Sequence, residues 1–215
     1  PLYSSAASDV YKRQTGTSGT SGSSGINVGS SAVIILGAGT NSSVRCGVSN
    51  NTTGALTGNL AGSSNTVGGV AYNVVVGGFN NTASGTYYAF IGNGSTNLAS
   101  ATYSFIGGGA SNTVSGGYYA SVVNGSNNVA SSSQAFVGNG NANSATASQS
   151  FVGNGCSNIA SGSFSFVGSG QSNTASGTRS SVVGGISNTV SGSCSFIGGG
   201  CANIACTNAT TISGG

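Results

Sequence analysis

The sequence has very few ionisable side chains. Its 215 residues include no histidine, one acidic residue and four basic residues, so that 2% of the chain is charged, against about 25% in an ordinary domain. General acid–base catalysis requires His, Asp, Glu or Lys groups with adjusted pKa values, and hard metal ions require carboxylates. We therefore predict that the protein is not an enzyme and has no catalytic residue, no metal site and no cofactor.

Low charge also limits the partners that the protein can bind. A formal net charge of +3 is far from the dense basic field of a nucleic-acid-binding domain, so we predict no nucleic-acid partner. No apolar run reaches the roughly 18 residues of a transmembrane helix, so no membrane segment is predicted. The chain is nevertheless 37% hydrophobic, and its apolar residues recur in register, which favours an ordered β structure over disorder.

The N-terminal residues differ in character from the rest of the chain. Residues 4–14 read SSAASDVYKRQ, which resembles the in-frame translation of a transposase adapter used in sequencing libraries. We interpret residues 1–14 as a sequencing-adapter artefact and leave them out of the fold prediction. Residues 15–26 then carry glycine at every third position. Two interpretations stay open: a flexible Gly-rich linker, or a short collagen-like Gly-X-Y stretch, which requires three chains.

An asparagine recurs every 15 or 16 residues along most of the chain. A short fixed period indicates one structural unit stacked on copies of itself. We predict an all-β fold, a β-solenoid of 15–16-residue coils, with irregular first coils and a loop in 27–71 and regular coils in 72–215. No obvious capping segment ends the repeat, and solenoids need capped ends, so we expect a truncated C-terminus. The predicted ladder asparagines are Asn81, Asn97, Asn112, Asn128, Asn143, Asn158, Asn173, Asn188 and Asn203.

An apolar pair precedes the glycines of each repeat. When the repeats are aligned on this pair, its second member is always β-branched and the residue two positions earlier is nearly always small. Side chains alternate faces along a strand, so these two columns share a face, which we assign to the interior. The predicted core residues are Val76, Ile91, Ile106, Val123, Val137, Val152, Val167, Val183 and Ile197. Ala or Val two residues after each asparagine forms a second inward column.

The residue between the two columns of the pair must point outward, and in most coils it is phenylalanine. Soluble monomers rarely expose a long apolar stripe, so we predict that a homotrimer buries this ladder between its chains. The reverse assignment, with phenylalanine inside and the aliphatic residues outside, stays open. The predicted interface residues are Phe90, Phe105, Phe136, Phe151, Phe166 and Phe196.

The asparagines and cysteines are both interpreted as structural. Asparagine hydrogen-bonds to backbone in turns, and stacked amides can bond from coil to coil. The chain has five cysteines. Cys156 and Cys201 occupy one column three coils apart, which is roughly 14 Å at the usual strand spacing and too far for a disulfide. We therefore expect free thiols that take the place of serine.

The repeat element S-F-[IV]-G-x-G-x-x-N-x-[AV]-S-G, clearest at 104–117 and 165–178, resembles the head repeats of trimeric autotransporter adhesins, the YadA-like head family. Similar repeats occur in viral and phage fibres. The resemblance covers about 72–204. It implies a left-handed β-roll, three chains packed around a threefold axis, and a head that binds host matrix or surfaces. The period here is 15–16 residues rather than the usual 14 of that family, and phenylalanine replaces a small residue.

Two functions follow as hypotheses. The first is a structural surface-fibre or adhesin head, located at the cell surface, outside the cell or on a virion fibre, that presents a rigid rod for attachment to a host-surface or matrix ligand. The alternative is an ice-binding solenoid, because Thr and Ser recur on one face at 82/84, 113/115, 174/176 and 189/191. Leu98, Val129, Ile159 and Ile204 interrupt that array.

Overall fold

The described part of the protein is all-β. The computed structural model describes residues 26–27, 33–36, 44–47 and 49–215. Within these ranges every regular element is a strand, no helix occurs, and no segment there could span a membrane as a helix. The strands are β1 (Ile26–Asn27), β2 (Val33–Leu36), β3 (Val44–Cys46), β4 (Asn51–Thr52), β5 (Gly58–Asn59), β6 (Thr66–Val67), β7 (Val74–Val75), β8 (Thr82–Ala83), β9 (Phe90–Ile91), β10 (Leu98–Ala99), β11 (Phe105–Ile106), β12 (Thr113–Val114), β13 (Ser121–Val122), β14 (Val129–Ala130), β15 (Phe136–Val137), β16 (Ser144–Ala145), β17 (Phe151–Val152), β18 (Ile159–Ala160), β19 (Phe166–Val167), β20 (Thr174–Ala175), β21 (Ser181–Val182), β22 (Thr189–Val190), β23 (Phe196–Ile197), β24 (Ile204–Ala205) and β25 (Thr211–Ile212).

The strands alternate between two sheets. A 14-stranded sheet holds β1, β2 and the odd-numbered strands from β3, and an 11-stranded sheet holds the even-numbered strands from β4. Within the regular region each strand pairs in parallel with the strand two further along the chain, as β9 does with β11 and β8 with β10. Each full turn of the chain, here called a coil, thus adds one strand to each sheet. The predicted β-solenoid is confirmed.

Equivalent residues of successive coils lie directly above one another. Phe105 pairs with Phe90 and Ile106 with Ile91 across β9 and β11. The backbone follows the same register: the Phe90 amide donates to the Ser104 carbonyl oxygen at 2.9 Å. A two-residue strand is short by itself, but every copy is held by its neighbours above and below, as in other stacked β structures.

Two columns of side chains fill the interior. Aliphatic residues of the 14-stranded sheet, such as Ile91 and Ile106, are completely buried. The second inward column comes from the 11-stranded sheet and is also completely buried, as predicted; its members are Ala83, Ala99, Val114, Ala130, Ala145, Ala160, Ala175, Val190 and Ala205. The interior is therefore filled by Val or Ile from one sheet and mostly by Ala from the other, with Val114 and Val190 as the larger members of the second column. Six of the nine predicted core residues of the first column, namely Ile91, Ile106, Val137, Val152, Val167 and Ile197, are buried.

Three predicted core residues are wrong. Val76, Val123 and Val183 are exposed, by 38%, 42% and 46%. The valine directly before each is buried instead, and the strand register explains this: Val122 pairs with Val137 and so continues the core column.

Two valines precede the glycines in these three coils, and only the first of them belongs to the buried aliphatic column. The second valine of each pair occupies the position that the first glycine has in other coils. Val123 is stacked on Gly107, because an added Cβ on Gly107 would meet the Val123 carbonyl oxygen.

The regular solenoid begins earlier than the sequence spacing predicted. Asn50 and Asn65 continue the ladder below Asn81. The sequence left a loop or a wider coil open for 50–62, and the structure has a coil there, whose strands β4 and β5 pair in parallel with β6 and β7. Polar residues hide this coil in the sequence, because its inward positions include the buried Asn59.

The first coils do depart from the parallel pattern before β3, because β1, β2 and β3 pair antiparallel. The adapter-like residues 1–14 and the Gly-rich stretch 15–26, except for Ile26, lie outside the described residues.

Candidate functional site

The asparagine ladder is an internal hydrogen-bonded column. Asn143 shows the pattern: its Oδ1 accepts from the backbone amide of Asn158 at 3.0 Å, and its Nδ2 donates to the carbonyl oxygens of Asn139 and Gly155, both at 2.9 Å. The Asn143 amide in turn donates to Oδ1 of Asn128 at 3.0 Å. Each side chain thus joins its own turn to the coils on both sides. The predicted structural role of the ladder is confirmed.

The turn beside the ladder depends on left-handed backbone. The residue before each ladder asparagine has a positive φ, as Ala142 does at 55°, and so does a glycine two residues earlier, Gly140, at 104°. A Cβ on Gly140 would overlap the carbonyl oxygen of Gly155 in the next coil, so no larger residue fits there. The ladder asparagine bonds across this tight turn while its own φ stays in the ordinary region.

The phenylalanines form an outward ladder along the 14-stranded sheet. Phe105, Phe166 and Phe196 are exposed by 40%, 37% and 38%, and the other three predicted interface residues, Phe90, Phe136 and Phe151, are half-buried.

The rings stack between coils, with centroids 5.0 Å apart for Phe136 and Phe151 and planes 7° apart. The interior assignment of the aliphatic column is therefore right and the reverse assignment is wrong. The single chain leaves one edge of this ladder open to solvent.

A second aromatic column went unrecognised in the sequence. Tyr72, Tyr88, Tyr103 and Tyr119, here called the tyrosine stack, are exposed residues with positive φ at a corner of successive coils. Later coils place other residue types at the same corner, among them Arg179, whose guanidinium lies 5.5 Å from the ring centre of Phe164. The signal was the tyrosine two residues before the phenylalanine position of each early coil, which periodic alignment of the outward residues would have revealed.

The 11-stranded sheet presents the hydroxyl-bearing face. Thr82 and Thr113 point outward and are half-buried, while Ser84 and Ser115, two residues further along, are exposed. Leu98 lies between the two threonines in the parallel register. The Thr and Ser columns predicted from the sequence do share a face, and the apolar interruptions lie in the same column as the threonines.

Few groups on these surfaces can do acid–base or redox chemistry. Arg179, six tyrosines and four cysteines are the ionisable side chains of residues 72–215. Cys156, Cys194, Cys201 and Cys206 are free thiols, in agreement with the sequence prediction. Across the described ranges, no three His, Cys, Asp or Glu side chains are grouped so that they could hold a metal ion. The chemistry available is hydrogen bonding, apolar contact and oxidation of phenols or thiols.

No protein-family model matches the sequence, and no curated protein matches it significantly.

Proposed function

We propose that this chain is a non-catalytic structural element, the head of a surface fibre or adhesin, that presents a stiff repetitive rod at a cell surface, outside the cell or on a virion. The half-exposed phenylalanine ladder carries the proposal, because its rings stack from coil to coil along one outer face, as Phe136, Phe151 and Phe166 do. Ser121 and Ser181 hold the same position in two of the intervening coils. The resemblance of the repeat to trimeric adhesin heads supports the same function. Roughly 11 coils at the usual strand spacing give a rod about 50 Å long.

A homotrimer covers the ladder in this proposal. Phe105, Phe166 and Phe196 are exposed by 40%, 37% and 38%, so complete burial adds about 0.6–1.2 kcal/mol per side chain, roughly two fifths of the gain for a fully buried one. Several rings per chain contribute to a single association event, whose entropic cost is paid once. A column that repeats with the coil also gives each chain the same straight contact strip, as a symmetric assembly requires.

The assembly is tested by adding charge to the ladder. We expect the purified protein to have the molar mass of three chains by light scattering, and the Phe136→Asp/Phe151→Asp variant to be monomeric. The matched control is Asn139→Asp/Asn154→Asp, which adds the same charge in the same coils at exposed positions and should stay trimeric. A wild-type protein that is monomeric at micromolar concentration contradicts the trimer.

The attachment function needs a separate measurement. We expect labelled trimer to bind immobilised extracellular-matrix glycoproteins or intact cells in a saturable way, and the monomeric variant to bind more weakly because it loses avidity. If the trimer binds neither surface, the adhesin function is contradicted, and the role as a structural fibre is unaffected.

Ice binding is the second candidate, and the parallel register of the hydroxyl face favours it. Thr174 and Thr189 are directly paired, and two hydroxyl columns separated by one inward residue repeat at the strand spacing, about 4.8 Å. An ice-binding protein shows thermal hysteresis, which Thr174→Lys/Thr189→Lys should abolish and Asn139→Lys/Asn154→Lys should leave unchanged. The absence of hysteresis in the wild-type protein excludes this candidate.

A further inference from the structure

The tyrosine stack is the most regular reactive feature on the surface. Its ring centroids are 4.8 Å apart for Tyr72 and Tyr88, 5.1 Å for Tyr88 and Tyr103, and 4.7 Å for Tyr103 and Tyr119. The corresponding planes differ by 6°, 9° and 11°. All four side chains are more than 40% exposed. Four phenols therefore lie in one column, in contact with each other and with solvent.

The fold itself sets this spacing. Each of these tyrosines has the same left-handed backbone, with φ between 56° and 61°. Inter-coil hydrogen bonds hold the corner, such as that from the Tyr103 amide to the Tyr87 carbonyl oxygen at 2.9 Å. Because every coil repeats the corner, a tyrosine at this position is placed directly over the tyrosine of the coil below.

The stacking limits what the column can bind. The inner rings, Tyr88 and Tyr103, have a neighbouring ring on each face, so those faces are closed to a sugar or a flat ligand. The ring edges face outward with their hydroxyl groups and the carbon atoms ortho to them. Those carbons are the positions at which phenoxyl radicals couple.

We propose that the tyrosine stack is a site of oxidative coupling, in which hydrogen peroxide and a haem peroxidase link tyrosines of successive coils within one chain as dityrosine. Each link would join residues 15 or 16 positions apart and connect two adjacent coils covalently. The proposal rests on the geometry of a single chain and is independent of the proposed trimer and of its attachment function.

The reaction balances with one peroxide per link. Each of two phenols loses one electron and its hydroxyl proton and becomes a phenoxyl radical. The radicals form a carbon–carbon bond between their ortho carbons, and the hydrogen on each of these carbons moves to the adjacent oxygen and restores the phenol. Two carbon–hydrogen bonds are broken and one carbon–carbon bond is formed overall, while two electrons and two protons reduce H₂O₂ to two molecules of water.

Proximity gives the stack its selectivity. Coupling of two radicals held side by side is effectively unimolecular, with an effective concentration far above that of dissolved protein. Tyr87 and Tyr118 are equally exposed but lie outside the column: the ring of Tyr87 is 6.4 Å from that of Tyr88 and tilted by 42°. They are therefore the matched control for reactivity that depends on exposure alone.

The test treats the folded full-length chain with hydrogen peroxide and a haem peroxidase. We expect dityrosine fluorescence, a chain mass lower by two hydrogen atoms per link, and linked peptides that join Tyr72 to Tyr88, Tyr88 to Tyr103 or Tyr103 to Tyr119. An equal mixture of ¹⁴N and ¹⁵N protein should give linked peptides of uniform label only, because both tyrosines come from one chain.

Two double variants decide between stacking and exposure. Tyr88→Phe/Tyr103→Phe removes a phenol from each of the three stacked pairs but keeps the rings. This variant should lose most of the dityrosine while circular dichroism shows an unchanged fold. Tyr87→Phe/Tyr118→Phe removes the same number of phenols and should retain it. The proposal is overturned by equal losses in the two variants, by mixed-label links, or by a folded protein that forms no dityrosine.

Discussion

Replacement of Asn143 by alanine should destabilise the solenoid by about 2–4 kcal/mol. The side chain is completely buried in the middle of the asparagine ladder and takes part in four hydrogen bonds. Two are donated by Nδ2 to the carbonyl oxygens of Asn139 and Gly155. The other two are accepted by Oδ1 from the backbone amide and the Nδ2 of Asn158.

The magnitude depends on which partners stay satisfied in the variant. The Gly155 carbonyl keeps the hydrogen bond from the Asn141 amide at 2.9 Å, and Asn139 is exposed, so water can replace its lost donor. Asn158 is buried, and its backbone amide loses the acceptor it has in Asn143. A buried donor left without an acceptor costs about 1–3 kcal/mol. Each of the other lost hydrogen bonds costs about 0.5–1.5 kcal/mol, and water at the exposed Asn139 carbonyl reduces that cost.

Equilibrium unfolding in guanidinium, followed by far-ultraviolet circular dichroism, measures the loss, and amide hydrogen exchange locates it at Asn158. Asn139→Ala is the matched control: its Oδ1 accepts from the Gly140 amide at 2.7 Å, but the bond is exposed, so we expect a change of about 0.5 kcal/mol or less. The reasoning is refuted if both variants unfold at the same denaturant concentration, or if the Asn158 amide stays protected in Asn143→Ala.

The remaining predictions concern packing and backbone, and both are measured by the same unfolding assay. Val122→Ala should destabilise the protein by about 2 kcal/mol because it leaves a cavity, whereas Val123→Ala, at the exposed neighbour, should change stability by about 0.5 kcal/mol or less; equal effects would contradict the corrected core. Gly109→Ala should prevent folding or cost several kcal/mol, since φ is 92° and the new Cβ would overlap the Gly125 carbonyl oxygen, while Gly199→Ala, with open space around it, should fold normally.

The sequence was sufficient to predict features that recur once per coil. The period fixed the fold class, and alternation along the strand correctly placed Ala83 inside and Phe105 outside. Ladder asparagines could be identified because one polar residue type is kept in a fixed position, two residues before a buried Ala or Val. These inferences need only the repeat period and the alternation of side chains along each strand.

Features that depend on knowing which residues are equivalent in successive coils were harder to predict. The buried aliphatic residue stands six positions before the next ladder asparagine, as Ile91 does before Asn97 and Val75 before Asn81. This spacing is constant, whereas the glycine that follows the apolar pair in most coils is replaced by Val76 in one of them. Because side chains alternate with period two, a one-residue misalignment moved three core residues to the outer face.

The coils differ in length on one side only, and the spacing of the tyrosine stack along the chain varies with them. The 16-residue coils carry their extra residue between the ladder asparagine and the outward aromatic position: Phe90 follows Asn81 by nine residues and Phe105 follows Asn97 by eight. The turn between these two positions accommodates the extra residue, and the rings of Tyr88 and Tyr103 still stack. Their spacing along the chain alternates between 16 and 15 residues, but each stands two residues before the outward strand position of its coil, and that constant offset identifies the column in the sequence.

The register also gives a physical reason for the unusual composition. Each residue has its equivalents about 4.8 Å above and below it, so a column of like charges would repel itself by about 1 kcal/mol per neighbouring pair in water and by more beside a low-dielectric rod. Uncharged side chains in a column attract one another instead, since asparagines hydrogen-bond from coil to coil and aromatic rings pack face to face. Arg179 obeys the same rule, because the ring of Phe164, not a second cation, lies within 5.5 Å of its guanidinium. A parallel solenoid with near-identical coils thus selects for side chains that attract their own copies, and the scarcity of charge follows from the fold.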